Sequence, residues 1–129
     1  MTRDGGFACL ESFDEKTLYF SKFSGGGIWA MPANGGEAQR VTDALHFGYW
    51  GEFAITEHGL YPVDSDADPG PVLMYYAFRT RQLKQILSLN GPPKAIPWSA
   101  SLGVSRDGRT VLVVLATFRN SLVMAENLQ

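Results

Sequence analysis

The sequence predicts an all-β chain of repeated antiparallel sheets, and three observations predict it. A phrase of small hydroxyl residue, tight polar turn and apolar run occurs three times. It reads Ser12-Phe13-Asp14-Glu15-Lys16-Thr17-Leu18-Tyr19-Phe20, then Thr56-Glu57-His58-Gly59-Leu60-Tyr61-Pro62-Val63, then Ser105-Arg106-Asp107-Gly108-Arg109-Thr110-Val111-Leu112-Val113. The copies begin 44 and 49 residues apart, and a period of about 40–50 residues built from short strands is the signature of β-propeller blades. Finally, the apolar residues alternate or cluster in short runs between Gly- and Asn-rich breaks, and no segment of useful length carries a helical period.

Each element follows from alternation, β-branched content and turn punctuation. In the first repeat the strands are expected at 7–11, 18–22, 28–32 and 38–42. The breaks between them are Asp14-Glu15-Lys16, Ser24-Gly25-Gly26-Gly27 and Ala33-Asn34-Gly35-Gly36, where Gly and Asn supply the positive φ of tight hairpins. The second repeat gives strands at 52–56, 59–63, 72–78 and 83–89, with a long acidic second turn over 64–71. The third gives 102–105, 110–116 and 121–126, and no fourth strand. The expected fold is therefore a partial β-propeller of about three four-stranded blades (6–43, 50–89 and 98–128), the last lacking its fourth strand. Rings of this kind close with roughly four to eight blades. Three readings reconcile the count: a fragment of a larger propeller, which is preferred, a dimer of wedges completing one ring, or a wedge curled into a sandwich. Segments such as Val111-Leu112-Val113-Val114-Leu115-Ala116 and Ile28-Trp29-Ala30-Met31 are apolar on both sides, as strands covered by neighbours on both faces must be.

Composition sets further bounds. With 129 residues, 45% hydrophobic and 12% aromatic, the chain can hold a sizeable core. A net charge of −2 argues against phosphate-backbone binding; Arg79, Arg81 and Lys84 read as a solvated loop, with contact to an anionic partner the lesser alternative. The one cysteine, Cys9, excludes an internal disulfide and a multi-cysteine zinc site. Its apolar setting reads as a buried, inert thiol. The N-terminus has no apolar core for a signal peptide, and no apolar run approaches the roughly 20 residues that span a bilayer. The expectation is a soluble chain, with no membrane contact and its compartment undetermined.

The Ser-x-Asp-Gly-Arg-Thr-Val-Leu turn at 105–112 and the ending Ser121-Leu122-Val123-Met124-Ala125-Glu126-Asn127-Leu128 resemble the last blade of TolB-like β-propellers. That type is appended to bacterial winged-helix regulators and to some bacterial serine/threonine kinases. Ile28-Trp29-Ala30-Met31-Pro32-Ala33-Asn34-Gly35-Gly36-Glu37 is similar to the family's third strand and following turn, and Trp50-Gly51-Glu52-Phe53-Ala54-Ile55-Thr56 to the strand that opens a blade. The resemblance covers roughly residues 7–128. Glu15-Lys16 stands where the family prefers Asp-Gly, and Pro62 interrupts a strand where it removes a ladder donor. The resemblance implies a sensory or protein-interaction module rather than a regulator in its own right.

Motifs that carry chemistry are scarce. Asp64-Ser65-Asp66-Ala67-Asp68 alternates acids like a calcium loop, but the sixth position is Pro69 and the twelfth Tyr75, where an EF-hand needs Gly and a bidentate acid. Gly103-Val104-Ser105-Arg106-Asp107 brushes against a nucleophile elbow, yet its last position and its strand–turn–strand context are wrong. The Asp107-Gly108 turn and Asp14 read as hairpin devices. No catalytic residue, metal or cofactor is expected. Binding is placed on the face where 2–3 strand turns and blade-to-blade connections gather, with candidates His46, Tyr49, Trp50, Asp64, Asp66, Trp98 and Arg119. Trp50 and Trp98 hold equivalent places ahead of two innermost strands, and inter-blade packing is preferred for both. The functional expectation is a non-catalytic binding or sensory module for a protein, peptide or small ligand, with no direct nucleic-acid contact. Two alternatives stay open: an accessory or gating segment of a hydrolase such as a peptidase, and a structural wedge that closes a ring through exposed blade faces as a homo-oligomer.

Overall fold

The computed structural model describes residues 6–22, 26–42, 53–64, 67–69, 71–89 and 102–113. Ten strands run through them, in chain order: β1 Phe7–Glu11, β2 Thr17–Ser21, β3 Ile28–Pro32, β4 Gln39–Arg40, β5 Phe53–Ile55, β6 Gly59–Asp64, β7 Val72–Ala77, β8 Gln82–Ser88, β9 Leu102–Val104 and β10 Val111–Val113. No helix occurs among the described residues. Each strand coincides with an expected one to within a few residues; the expected strand at 121–126 lies outside the described residues.

The strands form antiparallel meanders of order β1-β2-β3-β4 and β5-β6-β7-β8, and a β9-β10 hairpin. In the first sheet β2 pairs β3 from Thr17↔Pro32 to Ser21↔Ile28 without interruption. In the second, β6 pairs β7 at Leu60↔Tyr76 and again at Val63↔Leu73 in the same register. The gap falls at Tyr61 and Pro62, where Pro62 has no N–H to offer. The departure noted in the sequence is thus absorbed inside a central strand, at the cost of local pairing rather than of the strand.

Packing explains why these runs are apolar. Alternation sends Leu60 and Pro62 to one face of β6, Tyr61 and Val63 to the other. On the first face, Phe53, Leu60 and Tyr76 form a core with Ile28 of β3, and Leu10, Tyr19 and Val41 of the first sheet close around it. On the second face, Val63, Leu73 and Leu89 pack with Tyr61 and with Leu102 and Val111 of the third repeat. The middle sheet is covered on both sides, by the sheets before and after it in the chain. The Tyr76 hydroxyl donates to the Val41 carbonyl at 3.3 Å, tying the first interface, and Tyr19 stacks on Phe78 with ring centroids 5.4 Å apart.

One residue departs from its expected role. Cys9 is exposed rather than buried. The β1–β2 register slips between Phe7 and Leu10, so Leu10 turns into the inter-sheet core and Cys9 lines a cavity on the outer face with Leu18, Phe20 and Met31. Gly59 takes no left-handed φ. It opens β6 as glycine because a Cβ there would run into the Tyr76 carbonyl oxygen and the Tyr75 ring.

Candidate functional site

The repeated phrase is a repeated hydrogen-bond network. In the first turn the Ser12 hydroxyl donates to Asp14 Oδ1 at 2.6 Å, and the Lys16 amide donates to the same oxygen at 3.2 Å. The Thr17 amide donates to Ser12 Oγ at 3.0 Å. In the third turn Ser105, Asp107, Arg109 and Thr110 repeat those bonds at 2.6, 3.1 and 2.9 Å. These hydrogen bonds, led by the one from serine and then that from the backbone amide, hold both carboxyls below the ordinary 3.8. The middle copy has no acid in that place. It closes through the Thr56 amide and hydroxyl, which both donate to the Gly59 carbonyl at 2.9 and 3.1 Å. The hairpin reading of Asp14 and Asp107 is therefore the one the geometry bears out, and Ser105 has both its proton and a lone pair engaged within its own turn.

Antiparallel meanders put the 1–2 and 3–4 turns at one end of each sheet. At that end the three turns come together. The Arg106 guanidinium, second residue of the third turn, lies 5.8 Å from the centroid of Phe13, second residue of the first. Between them open two cavities that share Thr56 and Arg106 as lining residues. One, of about 500 Å³, lies between the first two sheets and includes Phe13, Tyr19, Glu57 and Phe78. The other, of about 420 Å³, lies between the second sheet and the third turn and includes His58, Tyr61, Tyr75, Lys84 and Asp107. Both volumes fall in the range of roughly 300–1,000 Å³ typical of ligand sites.

The second cavity has a built wall. Tyr61, Tyr75 and Lys84 lie side by side across β6, β7 and β8, with the two tyrosine rings 4.8 Å apart and Lys84 Nζ 5.7 Å from the Tyr75 centroid. The Tyr75 hydroxyl donates to the His58 carbonyl at 3.2 Å and the Tyr61 hydroxyl to the Gly108 carbonyl at 3.4 Å. Burial, with Tyr75 adding to it, pushes the Tyr61 phenol above its ordinary value, so it stays a neutral donor. The basic trio of the sequence is split here. Arg79 and Arg81 lie within the 3–4 turn, whereas Lys84 lies within β8 against an aromatic ring.

Of the residues expected to bind, Asp64 ends β6, half-buried, at the opposite end of the second sheet from these cavities. His46, Tyr49, Trp50, Asp66, Trp98 and Arg119 lie outside the described residues. The sequence marks Lys84 only as part of a basic trio read as a solvated loop, and does not mark Tyr61, Tyr75 or Arg106 as binding residues, because their convergence needs the strand register and the stacking of sheets; the signal available is the phrase itself, which marks where turns fall. Among the described residues no group of three or more His, Cys, Asp or Glu could hold a metal ion, and no helix is long and apolar enough to cross a membrane. No family model, curated protein or solved structure matches the chain.

Proposed function

We propose that the chain is a run of β-propeller blades of the TolB-like kind acting as a non-catalytic binding module, and that the groove across its 1–2 turns receives an extended peptide segment of a partner protein. The observation that carries this reading is the meeting of the repeated turns over two adjoining cavities, one aromatic and one aromatic and basic, with Arg106 common to both. Aromatic rings beside a few fixed polar groups are what binding surfaces use. The two-sided burial of the middle sheet supports radial stacking of blades. The engagement of Ser12 and Ser105 within their own turns supports binding rather than nucleophilic chemistry.

A random heptapeptide library displayed on phage tests it. Selection on the immobilised chain is expected to return binders, and Phe13→Ser, at a position 48% exposed and outside the core, is expected to weaken their capture about tenfold. A selection that returns no binders, or binders indifferent to Phe13→Ser, overturns the groove.

A further inference from the structure

We infer that the second cavity recognises a carboxylate side chain, aspartate or glutamate, of the peptide bound in this groove; the inference rests on the peptide-groove reading above. Charge and geometry carry it together. Lys84 projects from β8 on the wall that Tyr61 and Tyr75 build, and Arg106 stands on the turn across from it. Among the described residues neither cation is paired with a carboxylate; their recorded contacts are with the Tyr75 and Phe13 rings. An aromatic face fixes the position of a cation without neutralising it. Both ammonium and guanidinium protons therefore stay available to an oxygen acceptor.

The cavity's own acid does not fill that need. Asp107 Oδ1 already accepts from the Ser105 hydroxyl and the Arg109 amide. Within the lining of this cavity two cations face one acid, a local excess of one positive charge that matches a carboxylate monoanion, while Asp14 and Glu57 line the adjoining cavity that Arg106 also borders. A phosphate dianion would bring a second negative charge against Asp107 with nothing left to balance it. The whole chain carries a net charge of −2, so selection for an acidic residue has to come from local contacts rather than from long-range attraction. Pinned tyrosines contribute here as well. Their hydroxyls are held by the His58 and Gly108 carbonyls, so the wall is already formed when the ligand arrives and less ordering entropy is lost on binding. Ile86, 47% exposed on the same lining, offers an apolar contact to the stem of the acidic residue.

The test uses the same phage selection, run on the full chain and on the Lys84→Gln, Arg106→Gln double variant. Peptides selected on the wild type are expected to share Asp or Glu at one fixed position. Synthetic versions with that residue replaced by Asn or Gln are expected to bind the wild type about tenfold more weakly by fluorescence anisotropy, and the double variant is expected to bind acid and amide versions equally. Raising salt should narrow the wild-type preference, because ion pairing at an accessible site is screened. Binders that require Phe13 but show no acidic position, or an acid preference that survives in the double variant, overturn the carboxylate site and leave the groove standing. An empty selection overturns both.

Discussion

At the scale of single residues, the first and third turns differ in one backbone decision. Gly108 sits at φ +69°, and its counterpart in the first copy, Glu15, is held at φ +58°. The hydrogen bonds around them are the same, so a residue with a Cβ has been placed in a left-handed conformation that costs it roughly 1–2 kcal/mol. Part of that cost is offset because glycine loses more freedom on folding. Glu15→Gly is therefore expected to stabilise the chain by about 0.5–1 kcal/mol in urea melts, and an unchanged or lower midpoint would contradict the account. The same turns set a pH dependence. Both Asp14 and Asp107 titrate below the ordinary 3.8 in the folded chain. Their contribution is complete above that value and is lost as pH falls through the lower folded value, since the unfolded chain then binds more protons. Melting temperature should drop on acidification below about pH 4, less steeply in Asp14→Asn, Asp107→Asn; parallel curves for the two proteins would sink this assignment. Because both carboxyls are exposed, the effect is small.

Elements in this chain are specified by local patterns that agree with their neighbours. β3 is bounded on both sides by glycine-containing breaks, and its limits, Ile28–Pro32, are those its pattern predicts. β4 is only Gln39–Arg40 where a strand over 38–42 is expected. It is an edge strand, and little packing there rewards extended pairing. Pro62 shows the converse. By propensity alone it demotes a strand, yet β6 continues through it because Leu60 and Val63 on either side are fully buried in two different cores. Burial of roughly 1.5–3 kcal/mol per large apolar side chain outweighs one missing ladder bond worth about 1 kcal/mol.

For the whole molecule, the central strands of the middle sheet are packed on both faces, so its stability depends on both flanks. Ile28 of the first sheet is fully buried against Leu60 and Tyr76 of the second. Ile28→Ala is expected to cost about 2–5 kcal/mol and to lower hydrogen-exchange protection in β6 and β7 as well as in β2 and β3. Loss confined to the first sheet would mean that the sheets fold independently of one another. Nearest-neighbour dependence of this kind is how stacked repeats are stabilised. The peptide selections belong to this scale too, since the groove is bounded by turns from three repeats and no single repeat contains it.

The strands, their antiparallel order and the Ser-x-Asp turns were legible from the chain alone, because alternation, turn residues and local hydrogen bonding act over a few residues and leave a pattern at each copy. The exposure of the Cys9 thiol is not legible in the sequence, because a register slip in β1 decides which way it faces and a slip leaves no mark in composition. The candidate site was likewise out of reach: Tyr61, Tyr75, Lys84 and Arg106 are up to 45 positions apart, and each is unremarkable where it stands. What brings them together is the register across β6, β7 and β8 and the packing of the third repeat onto the second, long-range contacts that only the tertiary structure decides.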